Sequence, residues 1–189
     1  MHDAAGQVQQ VIDAANGATD YTYTAFGQLA TVRDPQLHLT TIGYDLRGNK
    51  ASLSTPDMGS WTYDSSVYGE LISQRNALGQ TMTLDYDTAG RTWHRIEPEG
   101  TTNFSYYGAG SAAAGKPYTI SGPGHSELYQ YHTLYGTPTL IRRTLDGTPY
   151  DFNLSYNSEA QLEVMTYPES SPGFRFAAQY FYYLGQPTR

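Results

Sequence analysis

The sequence predicts an all-β chain built from successive β-hairpins, and three observations carry that prediction. Eighteen tyrosines stand beside 19 glycines and 10 prolines in 189 residues. Tyrosine suits a pleated strand, while glycine and proline make the turns that cut strands short. An aromatic residue followed by a turn former recurs along the whole chain. An apolar residue two places before that aromatic recurs with it, and a gap of two puts both side chains on one strand face.

The recurring unit is clearest at Tyr86-Asp87-Thr88-Ala89-Gly90-Arg91. It returns as Tyr44-Asp45-Leu46-Arg47-Gly48 and, without the aspartate, as Tyr23 to Gly27. Tyr63-Asp64 reaches Gly69 with two extra residues, Tyr106 reaches Gly110 at the usual spacing, and Tyr131 reaches Gly136 with one extra. Tyr156 leads to Ala160 in the glycine slot, Phe181 leads to Gly185, and His2-Asp3 opens the first unit. The nine units follow each other with a mean step of about 22 residues, inside the range of repeat architectures.

The second column confirms the alignment. Tyr21, Ile42, Trp61, Leu84, Phe104, Tyr129 and Leu154 stand two places before their aromatics, and only Gln179 departs from it. Midway between aromatics lies a second turn signal, as in Asp34-Pro35, Pro56 to Gly59, Pro98 to Gly100, Pro123-Gly124, Asp146-Gly147 and Pro172-Gly173. Each unit therefore reads as strand, Asp-x-x-Gly turn, strand, Pro/Gly turn. After the first turn apolar residues stand three apart, as with Leu29 and Val32 or Leu162 and Met165. Strict alternation would set them two apart, so a β-bulge is expected there. No helix is required; the alanine-rich stretch 111–115 reads as a loop insertion.

Composition also bounds function. The formal charge is -7, and no basic cluster longer than Arg142-Arg143 occurs, so neither nucleic acid nor an anionic membrane is an expected partner. There is no cysteine, which removes disulfides and thiolate metal sites. The first residues carry no basic and apolar signal-peptide pattern. Catalytic, cofactor and metal sites are all expected to be absent. The histidines lack ligand spacing, no Gly-x-Ser-x-Gly elbow exists, and Glu97 and Glu99 read as solvated turn residues. Asp45, Asp64 and Asp87, with Gly48, Gly69 and Gly90, read as turn residues. Trp61 and Trp93 are the candidates for stacking on sugar rings, which makes a carbohydrate- or cell-surface-binding module the alternative reading.

The Tyr-Asp-x-x-Gly-Arg units, with Gly79-Gln80-Thr81 before one of them, resemble the YD repeats of Rhs proteins, of the cocoon components of Tc toxins and of teneurins. The segments 56–61 and 95–101 look most like bacterial Rhs proteins. The resemblance covers essentially the entire chain. It implies a long, twisted, curved antiparallel sheet that spirals into a hollow shell around a C-terminal toxin domain, in proteins that are secreted or delivered to cell surfaces. It also implies further YD repeats and that toxin domain in cis. Such shells hold many more repeats than nine and end in a plug-like region that has no counterpart here. The chain is therefore expected to be a fragment of an array, incomplete at both ends, and to self-associate through open sheet edges.

Overall fold

The structure is a computed structural model that describes residues 1–188. Every element in it is a β-strand. The chain divides into two compact units, 1–85 and 86–189. The first unit holds β1 (Gln10–Ile12), β2 (Ala18–Tyr23), β3 (Leu29–Arg33), β4 (Leu39–Tyr44), β5 (Lys50–Thr55), β6 (Gly59–Ser65), β7 (Leu71–Arg75) and all of β8 (Thr81–Tyr86) but its last residue, Tyr86, which falls in the second. The second holds β9 (Thr92–Glu97), β10 (Gly100–Tyr106), β11 (Pro117–Gly122), β12 (His125–Tyr131), β13 (Pro138–Leu145), β14 (Thr148–Tyr156), β15 (Leu162–Ser171) and β16 (Phe174–Gln179). A separate ribbon of β17 (Phe181–Tyr183) and β18 (Gln186–Thr188) follows. Within each unit consecutive strands pair antiparallel in chain order, with no crossover. Hairpin stacking of this kind needs only local contacts, as in other repeat folds.

The expected bulge recurs from unit to unit. Thr22 pairs with Thr31 but Tyr23 pairs with Leu29, leaving Ala30 extra. The same step leaves Ala51, Ile72, Tyr118, Thr139 and Glu163 extra farther along. The bulge is why Leu29 and Val32, three apart, pair with Tyr23 and Tyr21 on one face.

Strand alternation then sorts the faces. In the first unit Tyr21 pairs with Val32, Ile42 with Leu53, Leu53 with Trp61, and Gln74 with both Tyr63 and Met82. The other face carries a row of hydroxyls, Thr22, Thr31, Thr41, Ser54 and Ser60, each paired with the next. Residues on the aromatic side are half-buried by one another. Among the described residues only Ala113, at 4% exposure, Thr102, at 3%, and Gly136 are buried. The accessible surface is 12684 Å². A globular chain of this mass would expose about 9,000 Å². The units are one sheet thick, and backbone ladders and cross-strand aromatic pairs hold them in place of an interior core.

Candidate functional site

Two places gather the residues that the sequence singles out, the stacked turns and a groove beside Trp93.

In the turns, one side-chain oxygen does the same work each time. Asp45 Oδ1 accepts from the N–H of Arg47 at 2.9 Å and of Asn49 at 2.8 Å. Asp87 accepts likewise from Ala89 and Arg91, Asp3 from Ala5 and Gln7, and Asn157 from Glu159 and Gln161. The Thr24 and Ser66 hydroxyls take the role where the sequence offers no aspartate. A short oxygen that caps its own turn is the requirement, and four residue types meet it. The Asn49 side chain, with backbone N–H groups, holds the Asp45 carboxyl below the usual carboxylate range. The Arg91 side chain does the same at Asp87, where Arg91 Nε lies 2.7 Å from Oδ2. Gly48, Gly69 and Gly90 close these turns with φ of 87°, 86° and 73°. Ala160 fills that slot at φ 59°, a conformation strained for any side chain.

The column tyrosines tie each unit to the one before. Tyr23 donates its hydroxyl to the carbonyl of Val8, and Tyr44 to that of Leu29, both at 2.9 Å. Tyr106 donates to Thr92 and Tyr156 to Pro138. The Gln7 and Gln28 amides, just after the turn glycines, donate to the carbonyls of Gly27 and Gly48. The recurrent Gly-Gln pair was the sequence signal for these rungs, and its meaning emerges only when the turns stack.

Three units depart from the positions that the sequence spacing assigns to the aromatic and its turn. In the fourth the bulge falls at Ser65, and Ser65-Ser66 hold the places that Tyr44-Asp45 hold in the third. Tyr63 and Asp64 lie immediately ahead of that pair within β6, and the Lys50 ammonium sits 4.1 Å above the Tyr63 ring. After Tyr106 the chain does not close at Gly110. It runs through an enlarged loop to Lys116, whose carbonyl accepts from Tyr107 N–H. Tyr107 anchors that loop edge-on to Tyr118 and Tyr131, with its hydroxyl on the Tyr129 carbonyl. In the last unit Phe181 is 61% exposed, while Tyr182 donates to the Leu162 carbonyl as column tyrosines do. Gly185 there follows Leu184 in a two-residue hairpin turn, both at positive φ.

The two tryptophans fare differently. Trp61 is half-buried in the aromatic face and donates its indole N–H to the Met58 carbonyl. Trp93 is 54% exposed and stacks on the His94 ring, with centroids 4.5 Å apart. It borders a groove of about 420 Å³ with Tyr86, Asp87, Arg91, Phe104 and Tyr106. Arg91, paired to Asp87, lies over the Tyr106 ring at 4.3 Å. Glu97, read from sequence as a solvated acid, pairs with Arg95 at 2.9 Å.

Residues 2–36 match the family described as RHS Repeat. No curated protein matches the chain. Among solved structures, the crystal structure of TcdB2-TccC3 without its hypervariable C-terminal region is similar over 97% of this chain and 12% of its own, at 12% identity and a TM-score of 0.74. The crystal structure of TcdB2-TccC3 is similar over 95% of this chain and 12% of its own, at 12% identity and a TM-score of 0.71. The Photorhabdus luminescens Tc holotoxin pore is similar over 99% and 13%, at 13% identity and a TM-score of 0.64. The chain thus spans a small part of each of these structures, and shares its fold with that part.

Proposed function

We propose that this chain, an RHS-repeat array by the match at its start and by its fold, is a non-catalytic stretch of shell wall that encloses a C-terminal toxin or effector domain of the same polypeptide. The observation that carries the reading is a sheet one layer thick, with almost no buried side chain, held by unit-to-unit hydrogen bonds. Such a strip is mostly surface, and in the first unit its two faces differ in chemistry, aromatic on one side and hydroxylated on the other. A wall needs those properties and needs no reacting group. Further repeats in cis would extend the ladder at β1 and β16, which each pair with one strand only, β1 also meeting the Met1 backbone at Gln10.

Limited proteolysis of the full-length protein tests the enclosure. A C-terminal passenger domain should resist protease in the native protein and be cut quickly once the wall is unfolded by denaturant. Cleavage of the passenger at the same rate in both states would remove the reading.

A further inference from the structure

Trp93 stands apart from the other aromatic residues of the repeats. Trp61 packs into the sheet face with its N–H committed, whereas Trp93 is 54% exposed and its indole N–H has no hydrogen-bond partner among the described residues. Its ring plane is nevertheless fixed, stacked at 21° on His94. The groove it borders, about 420 Å³, falls in the size range of small-ligand sites. One wall is aromatic, from Trp93, Phe104 and Tyr106, and the other is polar, from Thr88 and the Asp87–Arg91 pair. The guanidinium is held before any ligand arrives, by Asp87 at 2.6 Å and by the Tyr106 ring beneath it.

We propose that this groove binds a neutral saccharide, with one sugar ring stacked on the Trp93 indole and its hydroxyls on Arg91 and Thr88. Stacking on an exposed indole suits the apolar C–H face of a pyranose, and the fixed polar edge suits its hydroxyls. Asp87 already balances the charge of Arg91, so an anionic ligand finds no net attraction, and the chain's -7 charge opposes it further. A hydrocarbon ligand is disfavoured by the ion pair in the wall. The proposal stands independently of enclosure, since the groove is contained within the second unit.

The full chain carrying Trp61→Phe leaves Trp93 as the sole indole reporter. Titration with chitotetraose, cellotetraose and maltotetraose, alongside an array of neutral glycans, should give a saturable change in Trp93 emission with at least one of them. Weak affinity is expected, with Kd of about 1 mM or below. By saturation-transfer NMR, Trp93→Ala should weaken binding by about tenfold or more, and Thr88→Val and Trp93→Phe by less. Circular dichroism should show all three variants folded, and Thr88→Val and Trp93→Phe serve if Trp93→Ala does not fold. The proposal is overturned by no saturable response to any neutral saccharide. Undiminished binding in the Trp93 variants, or a response only to nucleotides or to a proline-rich peptide, overturns it equally.

Discussion

At Tyr44 a single side chain contributes twice. Its ring lies half-buried on the sheet face, and its hydroxyl donates to the Leu29 carbonyl of the preceding unit. The two contributions separate by substitution. Tyr44→Phe keeps the ring and should cost about 1 kcal/mol, the net worth of one hydrogen bond. Tyr44→Ala should cost about 3 kcal/mol, since the ring contacts go as well. Urea denaturation checks both, and equal losses would show that the ring carries nothing. Ala160 gives a prediction of opposite sign. Its φ of 59° is the one a glycine adopts freely, and its turn is otherwise complete through Asn157. Ala160→Gly should therefore stabilise by about 1 kcal/mol, read as a higher melting temperature.

The turn is one element on which pH acts, beside Asp151 in β14, whose carboxyl the Arg142 side chain holds below its ordinary range. Asp87 and Asp45 have carboxyls held below their ordinary range, by the Arg91 and Asn49 side chains first and by turn N–H groups beside them. A carboxyl whose folded pKa is depressed stabilises above its unfolded pKa, about 3.9, and loses that stabilisation as pH falls through the folded value. The melting temperature should thus hold between pH 7 and about 5 and decline below about 4. Asp87→Asn keeps an oxygen acceptor that does not titrate, so its decline should be shallower, although it starts lower for want of the Arg91 pair. An acid decline unchanged in that variant would place the titrating groups elsewhere. The turn also shows the limits of spacing as a guide. Counting from the aromatic to the glycine places the fourth turn at Tyr63-Asp64, but the ladder places it at Ser65-Ser66. An aspartate adjacent to a tyrosine is a strong sequence signal, whereas a serine hydroxyl with the same reach is common everywhere and carries none.

For the whole molecule, the governing fact is a large accessible surface with little interior, 12684 Å² for 20.9 kDa. Exposed apolar residues include Ile12 near the first edge and Phe174, Phe176 and Phe181 near the last. Unpaired strand edges with apolar neighbours are templates for pairing, while a net charge of -7 opposes it. Self-association should therefore grow with protein concentration and with salt, which screens the repulsion. Light scattering at low and high ionic strength checks this, and a monomer at every concentration and salt would exclude it.

The sequence by itself determined the all-β class, the hairpin order and the bulge, because each depends on period-two alternation and on residues that fix φ within a few positions. The three-residue apolar spacing at Leu29 and Val32 was enough to announce the bulge. Only the tertiary structure decided which units keep the pattern, where Ser66 and Thr24 replace aspartate, where Tyr182 rather than Phe181 reaches back, and why Gln follows Gly in the first turns. It also separated Trp61 from Trp93, both candidates for sugar stacking, by giving the first a packed face and the second a groove. The tyrosine and glutamine rungs rest on contacts between residues 15 to 20 positions apart, which no local pattern records until neighbouring strands come together.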